Sequence, residues 1–186
     1  MARDAEATRA RLLSAACDEF ARVGFAGARV DRIAAAAGSN VRMIYAYFGG
    51  KSPLFDASFE HVVSAMAEAV PPRPDDLPAW AAELVEFHDR DPRALRISMW
   101  AQLERPQATT EPLDVYAQKV SAMHLPEQGE LRPADVLMLI YAIAQAWQLS
   151  PAGLVAHGAS STAERAAAAR AAVHRLTGSG ARQAAT

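Results

Sequence analysis

Residues 30–48 constrain the fold more than any other stretch of the chain. They read as two short helices joined by a tight turn. Val30, Ile33, Ala34 and Ala37 recur at i, i+3, i+4 and i+7, one apolar face of a first helix. Gly38 stands where that helix must end, because glycine takes the left-handed exit without a Cβ clash. Asn40 is placed to cap the next helix. With about 100° between successive residues, Ile44 and Phe48 share the inner face of that second helix. Arg42 and Ala46 point the opposite way with Met43 near them, and Tyr45 and Tyr47 fall on the flanks. A helix with a buried stripe and an exposed ridge of this kind fits a major groove. Its phenols can donate to phosphates on either side.

The remainder predicts more helices and no strand. Alternating β-branched runs are absent, and Pro and Gly recur at helix-length intervals. A first helix is expected from near Thr8 to Val23, with Leu12, Leu13, Ala16, Cys17 and Phe20 inward and Gly24 ending it. Ser52 followed by Pro53 predicts the cap and first residue of a fourth helix reaching Val70. The prolines at 71, 72 and 74 stop it. A fifth is expected over Leu77–Arg90 and a sixth from Asp91-Pro92 to Glu104. A seventh runs from Thr110-Glu111-Pro112 to Met123, and an eighth from Pro133 to Leu149. Ser161 and Glu164 form a capping box that opens a ninth, ending near Leu176. The eighth helix is apolar nearly all round, so it is buried or shared with a partner. Residues 178–186 lack apolar content and read as a disordered tail.

Charge is divided along the chain. Residues 1–51 hold eight Lys/Arg against five Asp/Glu, whereas 52–186 hold eleven against sixteen. A basic head on an acidic body suits contact with a polyanion at one end. Cys17 is the single cysteine, which excludes an intrachain disulfide and a cysteine-based metal site. His88 and His124 show no metal-ligand spacing. No Gly-rich phosphate loop and no nucleophile–base pattern appears, so neither an enzyme nor a cofactor is expected. The apolar run from Val136 to Trp147 is too short to span a bilayer, and Asp4 and Glu6 stand where a secretory signal needs positive charge. The expectation is a soluble, cytoplasmic protein.

The first third resembles the TetR family of bacterial transcription regulators. The resemblance rests on Ala15-Ala16, Phe20, Gly24-Phe25, Ile33-Ala34, Ala37-Gly38, Ile44-Tyr45, Tyr47-Phe48, Lys51 and Leu54, in order and at the family's spacing. It departs where the family often caps the second helix with Thr or Ser, since Ala28-Arg29 stand there. Asp31 in the first turn can compensate through the helix dipole. Ser39-Asn40 replaces Val-Ser in the turn, and Ser52 replaces an acidic residue after the lysine.

The resemblance implies an all-α homodimer of about nine helices. A helix-turn-helix head (residues 1–51) would read a palindromic operator. A helical body (residues 52–177) would hold a ligand pocket and the dimer interface, and ligand binding would release DNA. The function expected is a ligand-responsive repressor. The alternative is a helical interaction module that has lost DNA binding. Candidate DNA contacts are Arg42 to guanine, Val41 and Met43 to thymine methyls, and Tyr45, Tyr47, Lys51 and Arg29 to phosphates, with Asn40 as cap. Arg9 and Arg11 are further phosphate candidates. Trp100, Leu103, Tyr141 and Gln145 are candidates for a small lipophilic effector, and Leu137, Ile140, Trp147, Ala169 and Val173 for the dimer contact.

Overall fold

The structure, a computed structural model, describes residues 2–106, 113–123 and 131–178. Ten helices and no strand lie among the described residues: α1 Ala2–Gly27, α2 Val30–Ala36, α3 Val41–Phe48, α4 Lys51–Ala69, α5 Leu77–Arg90, α6 Arg93–Glu104, α7 Leu113–Ser121, α8 Pro133–Leu149, α9 Ala152–Val155 and α10 Thr162–Gly178. They form two compact units. One holds the chain to Met66 together with α6; the other holds α5 and α7–α10.

In the first unit the apolar stripe of α1 closes a core. Leu12, Ala16 and Phe20 meet Ile33 of α2, Ile44 of α3, Leu54 and Phe55 of α4 and Ile97 of α6, all fully or almost fully buried. Each large side chain in that set contributes about 1.5–3 kcal/mol relative to exposure. Phe55 takes Phe20 and Phe25 edge-on, with ring centroids 4.9 and 5.4 Å away. Cys17 is buried in the same core.

In the second unit α5 packs on both α8 and α10. Trp80, Leu84 and Val85 of α5 meet a core completed by Val136 and Ile140 of α8 and Ala169 and Val173 of α10. The Asp89 carboxylate ties three helix ends together. It accepts from Gln148 at 2.7 Å, from Thr162 at 2.8 Å and from Arg165 at 3.1 Å. The capping box forms as expected: the Glu164 N–H donates to Ser161 Oγ at 3.2 Å, and the Glu164 carboxylate accepts from the Ser161 N–H at 3.0 Å. Pro133 opens α8 at its first turn.

Several boundaries differ from expectation. Helix α1 starts at Ala2 rather than near Thr8. Gly24, at φ 74° and ψ −176°, breaks the helical path where its end was expected, and a short further turn continues α1 to Gly27. Helix α4 begins at Lys51, with the Leu54 N–H donating to the Gly50 carbonyl at 3.2 Å. Pro53 is therefore the third helical residue, and the Ser52 hydroxyl accepts from Arg105 at 2.9 Å. Asp91 closes α5, and Pro92 precedes α6 without a side-chain cap. The single turn α9 had no sequence signal strong enough to announce it. The expected start of the seventh helix at residues 110–112, His124, and residues 179–186 of the expected tail lie outside the described residues.

Candidate nucleic-acid interface

The helix-turn-helix is α2 and α3. Gly38 makes the turn at φ 60°, and the Ser39 N–H returns to the Ala34 carbonyl at 2.9 Å. The Asn40 side chain then accepts from the Met43 N–H at 3.2 Å, the cap its position predicts. Ile44 is fully buried and fixes the rotation of α3 about its axis. Arg42 and Ala46 are consequently exposed, whereas Val41, Met43, Tyr47 and Phe48 are half-buried. Tyr45 is 57% exposed, and its ring lies over Gly50. Gly49 ends α3 in the left-handed conformation at φ 83°.

Three candidate phosphate ligands have roles inside the head. The Lys51 ammonium donates to the Ala26 carbonyl at 3.4 Å and lies 4.8 Å from the centroid of the Phe25 ring. Arg9 stacks over Phe48 at 5.1 Å. Arg11 donates to the Ala37 carbonyl at 3.4 Å and so caps the end of α2. Arg29 is exposed and supplies no side-chain cap to α2.

The start of α2 is held by a residue the sequence reading passed over. Glu19 of α1 accepts from the Arg29 N–H at 3.3 Å and pairs with Arg32 and Arg22, each at 2.6 Å. Burial opposes ionisation of Glu19, but the hydrogen bonds from Arg22, Arg32 and the Arg29 N–H outweigh it and hold the carboxyl below its ordinary range. Asp31 contributes as well, accepting from the Arg32 N–H at 3.0 Å. The available signal was an acidic residue beside Phe20 on the apolar stripe of α1.

Helix α6 lies along α1 within this unit. Arg96 donates to the Ala21 carbonyl at 2.6 Å, and the Trp100 ring packs on Gly24. Leu103 is exposed. Trp100 and Leu103 thus belong to the first unit, while Tyr141 and Gln145 belong to the second. Tyr141 packs edge-on against Trp80 at 5.8 Å and accepts from Lys119 at 3.0 Å. A cavity of about 30 Å³ beside Trp80 is lined by Leu77, Met123, Leu137 and Lys119, room for little more than one or two waters. Leu137, Ile140, Ala169 and Val173 are buried inside the protomer, and Trp147 is half-buried. These four side chains face the core of the protomer. The outward face of α8 is instead Met138, Leu139, Ala142 and Leu149.

Among the described residues no group of three or more His, Cys, Asp or Glu is arranged to hold a metal, and no helix is long and apolar enough to cross a membrane.

Residues 12–58 match the model of bacterial regulatory proteins of the tetR family, and residues 76–177 match the tetracycline-repressor-like C-terminal domain. The chain belongs to the TetR family. It is 42% identical over 152 residues to the HTH-type transcriptional repressor SCO4008 of Streptomyces coelicolor, covering 77% of this chain and 79% of that one. It is 43% identical over 68 residues to the HTH-type transcriptional repressor NicS of Pseudomonas putida, covering 37% of this chain and 32% of that one. The solved structure of SCO4942 from Streptomyces coelicolor superposes with a TM-score of 0.81 at 35% identity, covering 91% of this chain and 97% of that one. As a TetR-family member the chain is a DNA-binding transcription regulator of the helix-turn-helix type, a family of regulators rather than enzymes.

Proposed function

We propose that the chain is a homodimeric repressor that binds a palindromic operator and leaves it when a small, largely apolar effector binds the body. The observation that carries this reading is the presentation of α3: Ile44 buried beneath, Asn40 capping the start, Arg42 facing solvent. One head reads too few base pairs to find a single genomic site, and two heads about 34–36 Å apart read successive major grooves. Arg42 is the side chain for guanine, with Val41 and Met43 near thymine methyls; Tyr45, Tyr47, Lys51 and Arg29 serve phosphates.

Dimerisation falls to the outward faces of α8 and α10. Met138 is 62% and Leu149 48% exposed on a mostly apolar face that Gln145 interrupts. Ala163, Ala167 and Ala171 are exposed one turn apart on α10 and allow a close backbone approach. Two such pairs make a four-helix interface with two-fold symmetry. The effector acts only if it binds better to the form whose head spacing mismatches the operator.

Selection of duplexes from a random pool by the purified chain, with sedimentation of the bound species, tests this. A palindromic site bound by two copies is expected. A monomer, or no enrichment of any duplex, overturns the reading and leaves the interaction module in its place.

A further inference from the structure

The kink in α1 is filled by a carboxylate from α6. Gly24 leaves the helical path, and the next two backbone N–H groups turn toward Glu104. Its Oε2 accepts from the Phe25 N–H at 2.6 Å and from the Ala26 N–H at 3.0 Å. A charged acceptor shared by two successive N–H groups binds more strongly than a neutral one and suits an anion specifically. The Trp100 ring, one helical turn back on α6, closes over Gly24.

What this turn holds is Lys51. The Ala26 carbonyl, whose own N–H is fixed by Glu104, receives the Lys51 ammonium, and the Phe25 ring lies beneath it. Arg105 follows Glu104 and completes the seat: its guanidinium lies 4.8 Å from the other side of Phe25 and pairs with Asp56 at 2.6 Å on the first turns of α4. Glu104 and Arg105 thus grip the two chain segments that converge on the lysine.

We infer that Glu104 is a positioning residue for operator binding. It touches no DNA, yet it fixes the Phe25–Ala26 turn that seats Lys51 at its phosphate. This rests on the proposed DNA-binding reading and adds to it a dependence on a side chain in α6. The sign of the effect is diagnostic. Removing a negative charge should by itself tighten binding to a polyanion. The positioning role requires the opposite.

The test is a double-mutant cycle in the full chain: wild type, Glu104→Gln, Lys51→Ala and both together. Each is titrated with a duplex that the wild type selects, between about 50 and 200 mM salt. Glu104→Gln is expected to weaken binding about fivefold, and to lower the slope of log K against log salt by about one, as Lys51→Ala does. The double variant should bind within about twofold of Lys51→Ala alone. Far-UV circular dichroism shows that each variant folds. Should Glu104→Gln not fold, Glu104→Asp, which keeps the charge on a shorter arm, enters the same cycle with the same expectations. Unchanged or tighter binding, or losses that multiply in the double variant, overturns the inference and leaves the regulator reading intact. A wild type that selects no duplex overturns both.

Discussion

The Glu19 carboxylate and the Arg32 guanidinium meet at 2.6 Å across the corner between α1 and α2, with Glu19 almost buried and Arg32 half in solvent. The pair replaces the side-chain cap that Arg29 cannot provide. Glu19→Ala should destabilise the head by about 1–3 kcal/mol, because it removes a charged acceptor and leaves the Arg29 N–H without it. Urea unfolding followed by circular dichroism measures this. A loss below about 0.5 kcal/mol, the range of ordinary surface changes, would mean the corner holds without the pair.

Gly24 and Gly38 both have positive φ, but their surroundings differ. A Cβ on Gly24 would lie 2.8 Å from two Trp100 ring carbons, whereas nothing lies within 4 Å of one on Gly38. Gly38→Ala should cost about 1–2 kcal/mol of backbone strain. Gly24→Ala adds a clash to a conformation nearly exclusive to glycine and should cost at least about 3 kcal/mol. Equal midpoints for the two variants in urea would contradict the close approach of Trp100.

Arg42→Ala should cost about 1–3 kcal/mol on the selected duplex and relax its preference at one base pair. The measurement is affinity for the selected site and for each single-base variant of it. Loss that is uniform across all sequences would move Arg42 to the phosphates.

Met138→Glu places a charge at the centre of the outward face of α8 and should shift the dimer to monomer in sedimentation without lowering helix content. DNA affinity should fall with it, since each head then binds alone. A dimer that survives would place the interface elsewhere.

His88 lies in the core of the second unit, 2% exposed, and neither ring nitrogen has a partner among the described residues. Burial pushes its pKa below the ordinary 6.5, with Asp89 pulling weakly the other way. The unfolded chain therefore takes up a proton first as pH falls below 6.5, and stability is lost in that window. The slope approaches about 1.4 kcal/mol per pH unit for one group. His88→Leu should flatten stability between pH 6.5 and the lower folded value. An unchanged pH profile would show that the imidazole is not buried as neutral.

Signals carried by neighbours in sequence were legible. Asn40 caps α3, Pro133 opens α8, and Ser161 and Glu164 cap each other. Each requires partners only three or four residues apart, which spacing alone reveals. Signals that need a distant partner were not. Glu104 serves N–H groups of Phe25 and Ala26 far away in sequence, and Glu19, an acidic residue on the apolar stripe of α1, has no visible partner until Arg32 folds beside it. Proline misled at Pro53 because three helix N-terminal positions tolerate it, and a missing N–H does not say which one it occupies. The all-round apolar surface of α8 hid which side is inward. Leu137 and Ile140 differ from Met138 and Leu139 only by rotation about the axis, and the packing of α5 decides it.

Asp89 acts as a rivet. It joins the last turns of α5 and α8 to the first turn of α10, while the small cavity borders the opposite ends of α5 and α8, at Leu77 and Leu137. Should a guest larger than water be accommodated beside Trp80, α5 and α8 would have to part at Leu77 and Leu137, the ends that Asp89 leaves unfastened.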